Sequence, residues 1–340
     1  LHLSIRRQRQ MCIRDRLYKY KAWKKKGGKE KGMGDVHGTP LFNELHKERE
    51  VSTPRMGGIV VWVATIVTAL GLTALSILFG DPFSSFDFIS RSQTWLPLFA
   101  LFVGALVGLV DDLLEVTRSA GGLSLKWRLL VVALLGTFSG WWFYAKLGVS
   151  SIGVPFAGPI ELGPFFILFF VVVTLALYAG GIIDGIDGLA GGIFAFIFMT
   201  YAGIAFAQEQ VSLAAFAATV SGALFAFLWF NIPPARFYLS ETGSMALTVA
   251  LAVTAFSTDV LGEGVGVAVL PIIALPLTVT VVTSLIQVFS KKIFKKKIFR
   301  IAPIHHHFEA IGWPAYKVTM RYWVITIIAG IFGLAIALLK

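Results

Sequence analysis

Two carboxylates three residues apart, Asp184 and Asp187, stand in the run YAGGIIDGIDGLAGG (178–192), between long apolar stretches. On a helix they would share one face, and the surrounding glycines would let a backbone or a ligand approach closely. Acids at the edge of such apolar runs are costly to desolvate, so they are commonly paired, metal-bound or functional. A Gly-rich turn whose acids merely face water would read the same way in isolation. A second motif, LVGLVDDLLEV, carries Asp111, Asp112 and Glu115. Adjacent acids at a membrane helix end can bind Mg2+, or one can act as base while the other binds metal. They also oppose the helix dipole at a C-terminal end, which favours a functional reason over a solvated terminus.

Three further motifs could take part. In FNIPPARFYLSETGS (230–244), Asn231 and Glu241 flank a Pro-Pro break that ends the preceding helix. Arg236 offers a phosphate partner and Tyr238 a stacking surface. The segment from Glu241 to Ser244 could start a helix whose N–H groups favour an anion. In APIHHHFEAIGW (302–313), His305, His306 and His307 are consecutive and so cannot all face one ion. Beside a basic run they suit phosphate or pyrophosphate. STPRMGG (52–58), with Lys47 and Arg49 upstream, is compatible with phosphate binding.

The elements that must position these residues are membrane helices. The chain has 340 residues, 56% hydrophobic and only 14% charged, against about 25% charged in a soluble domain. Its mean hydropathy is +0.76. This composition predicts an all-α polytopic integral membrane protein embedded in a lipid bilayer. Stretches long enough to cross about 30 Å as helices fall at 59–80, 94–110, 129–147, 164–183, 190–207, 211–230, 244–261, 265–290 and 321–339. That gives nine spans, with 94–110 and 244–261 the weakest because they are short or rich in small residues. The only cysteine, Cys12, excludes a disulfide within the chain.

Charge orients the bundle. With the N-terminal segment cytoplasmic, all of the 30 lysines and arginines except Arg91, Lys146 and Lys340 fall on the inner side. The net charge of +11 therefore reflects topology and implies no nucleic-acid partner. The KKIFKKKIFR run at 291–300 reads as an anchor on the anionic inner leaflet. Nearly all the reactive motifs fall on that same side, and the spans carry almost no charge at mid-depth. A transporter would place polar groups near the midplane, so the pattern favours an enzyme with its active site on cytoplasmic loops. Residues 1–16 fit nothing that follows and resemble translated adapter sequence. A genuine N-terminus with one more membrane helix is expected to be missing, and 17–340 reads as one transmembrane transferase domain.

Six acids, three histidines and several bases on loops at one membrane face suit Mg2+-assisted phosphoryl transfer, which needs cations on the diphosphate and an in-line nucleophile. A nucleophile embedded in the bilayer would be a lipid phosphate.

In their order, STPRMGG, LVGLVDDLLEV, DGIDGLAGG, FNIPPARFYLSETGS and PIHHHFEAIGW resemble the polyprenyl-phosphate sugar-1-phosphate transferases. PIHHHFE followed by GW and KVTMRYW resembles the phospho-N-acetylmuramoyl-pentapeptide transferase family in particular. The resemblance covers roughly 40–340 and implies ten membrane helices. It also implies a bacterial inner-membrane location and the transfer of phospho-MurNAc-pentapeptide from UDP-MurNAc-pentapeptide to undecaprenyl phosphate, with Mg2+. By that resemblance Asp111 and Asp112 would be paired catalytic acids, one deprotonating the lipid phosphate. Asp184 would serve catalysis and metal, with Asp187 beside it in the nucleotide and diphosphate pocket. Asn231 matches a family Asn, and Tyr238 falls where the family has a Phe that contacts uracil. His305, His306 and His307 would form the diphosphate and sugar side, and Glu241 stands where the family has an Asp that binds Mg2+. The chain departs from the family pattern elsewhere too. Glu115 replaces a Lys, Tyr178 and Gly181 replace Asn residues, and STPRMGG replaces GTPTMGG. A sister transferase using another UDP-amino sugar, and an inactive membrane scaffold, are the competing expectations. The oligomeric state stays open, a homodimer among the options.

Overall fold

The computed structural model describes residues 21–24, 51, 53–89, 93–117 and 122–339. The segment 1–16, Cys12, Lys47 and Arg49 lie outside the described residues. Eleven helices occur among those described: α1 (Gly58–Phe79), α2 (Trp95–Thr117), α3 (Leu125–Lys146), α4 (Phe165–Gly180), α5 (Leu189–Ala207), α6 (Val211–Asn231), α7 (Ser240–Ser257), α8 (Gly266–Ile273), α9 (Leu275–Ile293), α10 (Ile304–Ala310) and α11 (Ala315–Leu339). Seven single helices are long and apolar enough to cross a membrane, and the bent pair α8–α9 makes up to eight. The chain is a multi-pass helical membrane protein. Its lipid-facing side chains are large and apolar, as Val67, Leu70, Ile77 and Leu78 on α1 show, which suits a surface with no water to meet.

The remaining expected span, 244–261, is realised as α7, which falls short of that apolar standard. The physical reason is its position. Every residue from Thr242 to Ser257 is buried, so α7 touches other helices rather than lipid. Small and hydroxyl residues can line such a helix because they allow close backbone approach. Gly108 of α2 meets the Glu241 backbone, and a Cβ on Gly104 would lie 3.0 Å from Ala246 Cα.

Three boundaries differ from the sequence expectation. The span read as 94–110 continues as α2 to Thr117, because Asp111, Asp112 and Glu115 find partners and need no loop. The span read as 265–290 breaks at Ala274, with α8 and α9 bent by 74°. Pro271 and Pro276 flank that break, and each removes a backbone donor from the helix ladder. The loop VSSIGVPFAGPIEL (149–162) holds an antiparallel hairpin, β1 (Ser151–Val154) with β2 (Gly158–Glu161). Buried Asp259 ties it to the bundle by accepting the Gly153 and Val267 N–H groups at 2.6 and 2.9 Å.

Candidate active site

The helices run alternately up and down, so one end of the bundle collects the start of α1, the end of α2, the start of α3, the end of α4, the end of α6, and the starts of α7 and α11. Backbone pairing joins the STPRMGG and FNIPPARFYLSETGS motifs there. Tyr238 N–H donates to the Pro54 carbonyl at 2.9 Å, and Gly57 and Gly58 N–H donate to the Tyr238 and Leu239 carbonyls at 2.8 and 3.0 Å.

Ser240 is the hub of this end. Its N–H donates to Asp184 Oδ2 at 2.7 Å and its hydroxyl donates to Asp112 Oδ2 at 2.6 Å. The same hydroxyl accepts the Met56 N–H at 2.8 Å. Ser240 has φ +55°, a left-handed backbone that costs a non-glycine residue about 1–2 kcal/mol. Three hydrogen bonds from different segments hold it there. No sequence signal pointed to Ser240.

Asp112 is fully buried. Besides Ser240 it accepts the Thr242 N–H at 2.9 Å and the Thr242 hydroxyl at 2.6 Å. Its other oxygen takes two long bonds from Arg55, each 3.4 Å. The N-terminal amides of α7, expected to attract an outside anion, are thus occupied by the protein's own Asp112 and Asp184. Asp111, next door, has fewer ties: Oδ1 accepts the Leu123 N–H, and Arg128 Nη1 stands 3.7 Å from Oδ2. That same Arg128 nitrogen pairs with Glu241 Oε1 at 2.5 Å, while the Tyr178 hydroxyl donates to Glu241 Oε2 at 3.3 Å. Glu115 pairs with Arg55 at 2.9 Å and with Lys24 at 3.1 Å. Burial alone would lower the Arg55 pKa, but Asp112, Glu115, Asp184 and Glu241 outweigh it and raise it, so the guanidinium stays charged.

The DGIDG loop packs on the histidines. A Cβ at Gly185 would lie 2.5 Å from His306 Nε2 and 3.1 Å from His305 Nε2, so only glycine admits both imidazoles. His305 and His306 are buried, with ring centroids 4.3 Å apart. His306 Nδ1 lies 2.8 Å from Glu309 Oε2, an arrangement that leaves Nε2 aimed at the loop. His307 is held elsewhere, its Nδ1 accepting the Arg300 N–H at 3.2 Å. The three histidines therefore divide two and one.

Asp187 and Asn231 are locked into the loop. Asp187 Oδ2 accepts the Ala235 N–H at 3.0 Å and its carbonyl accepts the Thr319 hydroxyl at 3.0 Å. Asn231 Oδ1 accepts the Gly188 N–H at 3.0 Å while its amide donates to the Phe237 carbonyl at 2.8 Å. Both tie the DGIDG loop to the 231–240 loop. Tyr238 is half-buried in the same loop. Arg236 is exposed and lies over the Phe230 ring at 5.8 Å, outside the acid cluster. Sequence reasoning missed Ser240, Arg55, Arg128 and Tyr178 as cluster members. Arg55 and Arg128 carried a readable signal, since each is the last cation before an apolar run.

The residues at hand suit Mg2+ by donor chemistry. Asp184 and Glu241 offer only hard carboxylate oxygens, and no cysteine occurs among the described residues. Among the described residues no three His, Cys, Asp or Glu side chains converge on one ion. Mg2+ is commonly bound through one or two carboxylates plus substrate phosphates. Asp184 lies outside the spans, and burial pushes its pKa up to about 6, partly offset by the Ser240 N–H and Arg55.

This constellation of acids and guanidiniums on a multi-pass bundle is that of a membrane-embedded transferase, and the sequence model described as "Glycosyl transferase family 4" matches residues 94–259. A phospho-N-acetylmuramoyl-pentapeptide-transferase of Caldanaerobacter subterraneus subsp. tengcongensis is 33% identical over 284 residues, covering 83% of each chain. One from Pelagibacter ubique is 32% identical over 315 residues, covering 85% of this chain and 81% of its own. One from Latilactobacillus sakei subsp. sakei is 33% identical over 288 residues, covering 84% of each. The chain belongs to the phospho-N-acetylmuramoyl-pentapeptide transferase family.

Proposed function

We propose that this protein transfers phospho-MurNAc-pentapeptide from UDP-MurNAc-pentapeptide to undecaprenyl phosphate, giving lipid I and UMP at the cytoplasmic face of the bacterial inner membrane. The observation that carries the reading is the meeting of Asp111, Asp184, Glu241, Arg55 and Arg128 at one end of an apolar bundle. There a phosphate on a lipid could reach a soluble diphosphate. In the reaction an oxygen of the lipid phosphate attacks the sugar-bound phosphorus. A new P–O bond forms, the bond to the UMP oxygen breaks, and any proton on the attacking oxygen goes to a carboxylate. Asp111 suits that task, because only one backbone N–H and a distant guanidinium engage it. Asp112 suits the task of holding α7 and Arg55 in place. Arg55 and Arg128 offset charge on the phosphates. His305 and His306, facing the DGIDG loop, suit the diphosphate and sugar side. Mg2+, held by Asp184 and Glu241 together with substrate oxygens, would supply charge stabilisation at the leaving diphosphate.

The test is to incubate the purified protein in lipid with undecaprenyl phosphate, Mg2+ and either UDP-MurNAc-pentapeptide or UDP-GlcNAc. Lipid product and UMP from the first are expected. Lipid product from UDP-GlcNAc alone would assign the sister activity, and no UMP from either would overturn the enzyme.

The raised pKa of Asp184 sets a pH dependence. Its carboxylate is ionised above about pH 6 and protonated below, and only the ionised form holds a metal. The Mg2+ concentration for half-maximal rate is therefore expected to climb as pH falls through about 6. Asp184→Asn should raise that concentration at every pH and flatten its pH dependence. An unchanged Mg2+ requirement in Asp184→Asn would remove the role.

A further inference from the structure

A ladder of alternating charge crosses the site: Lys24, Glu115, Arg55, Asp112. Lys24 Nζ lies 3.1 Å from Glu115 Oε1, Glu115 Oε2 lies 2.9 Å from Arg55 Nη2, and Arg55 reaches Asp112 Oδ1 at 3.4 Å. Its far end is fixed, because Asp112 is bound by Ser240 and Thr242 at the start of α7. The guanidinium is thereby aimed, yet it is not used up. Nε and Nη2 face the carboxylates, while Nη1 donates to none of the described residues. The Arg55 side chain is 15% exposed, and the charges of Asp184 and Glu241 add to those that hold it as a cation. An arginine with one edge clamped and the other presented is shaped to take a phosphate oxygen.

The two members of this contact are also two positions where the motifs depart from the family pattern. Position 55 gains a cation in place of Thr, and position 115 exchanges Lys for Glu. At this contact the cation stands on the segment before α1 and the acid on α2.

We propose that Arg55 binds a phosphoryl oxygen of a substrate, and that Glu115 is a positioning residue that acts only through Arg55. This rests on the phosphoryl-transfer reading above. The phosphate could be that of the nucleotide-linked donor or that of the lipid acceptor, and the two are separated by measuring KM for each.

Wild type, Arg55→Gln, Glu115→Gln, the double variant and Arg55→Lys are compared in lipid nanodiscs, with melting temperature followed for each. Arg55→Gln is expected to raise KM for one phosphate substrate about tenfold or more. Glu115→Gln should raise the same KM by a smaller factor. The double variant should match Arg55→Gln alone, because removing Glu115 has nothing left to mispoint. Arg55→Lys, which keeps charge but loses the fork, should recover part of the loss and is the variant to read if Arg55→Gln fails to fold. A KM increase for the UDP-sugar assigns the donor diphosphate, and one for undecaprenyl phosphate assigns the acceptor. Unchanged KM for both substrates in Arg55→Gln, or in Arg55→Lys where only that variant folds, overturns the proposal. Multiplying effects in the double variant overturn the positioning role. An inactive wild type would instead defeat the functional reading, so the two failures are distinct.

Discussion

Asp111→Asn is expected to lower kcat by about 10²–10⁴-fold, the range lost with a general base, while leaving the melting temperature near that of the wild type. Asp112→Asn is expected to lose activity and stability together. The two residues are adjacent in sequence and equally buried, yet their surroundings differ. Asp112 accepts three hydrogen bonds on one oxygen from Ser240 and Thr242, and meets Arg55 with the other. An amide NH2 in either position would face a donor, and Arg55 would lose its buried counter-ion. Breaking one side of such a pair costs about 3–5 kcal/mol, enough to lower the melting temperature by several degrees. Asp111 accepts one backbone N–H, from Leu123, and an Asn can keep that bond through its carbonyl oxygen. Purified variants assayed for UMP release and scanned for thermal unfolding in the same detergent separate the outcomes. Near-normal turnover in Asp111→Asn would remove its role as base. An unaltered melting temperature in Asp112→Asn would contradict the framework role.

Glu241→Gln is the second variant with a large expected effect. Glu241 Oε1 is 2.5 Å from Arg128, which also stands 3.7 Å from Asp111. A neutral Gln releases Arg128 to close on Asp111, so one change removes an oxygen from the proposed metal site and partly neutralises the proposed base. The expected loss is about two to three orders of magnitude in turnover, similar to losing one electrostatic contact to a transition state. Stability should change little, because the Glu241 side chain is 21% exposed and Gln can still accept from Tyr178. Glu241→Asp shortens the arm by one methylene but keeps the charge, so activity should stay within about tenfold. Mg2+-dependent turnover in Glu241→Gln within threefold of wild type would remove Glu241 from the metal site.

Much of the bundle was legible because lipid imposes one rule on every outward side chain, and a run of Val, Leu, Ile and Phe is hard to read otherwise. The acids were legible for the converse reason: Asp111, Asp112, Asp184 and Glu241 have no reason to stand beside such runs unless something receives their charge. Less could be seen of how they share the work. Nothing in the letters of Ser240 announces a left-handed backbone that joins Asp184 to Asp112. Nor do the letters of Asp187 and Asn231 show that they join loops through Ala235, Gly188 and Phe237. The break between α8 and α9 was signalled by Pro271 and Pro276, whereas the β1–β2 hairpin had no apolar alternation strong enough to mark it. Arg55 and Glu115 each looked like an isolated departure from a pattern, and only their 2.9 Å contact shows that they belong together.

The encasement of α7 has a bearing on how the protein is made. A helix of sequence SETGSMALTVALAVTAFS gains little by meeting hydrocarbon, since its favourable surroundings are α2, α4 and α1 rather than acyl chains. During synthesis α7 emerges after those three, and Gly104 and Gly108 are already on hand to receive it. The helix that carries Glu241 and seats both Asp112 and Asp184 thus enters the bilayer as a guest of its predecessors. In the nascent chain, assembly of the acid-bearing end and insertion of its central helix are expected to be coupled.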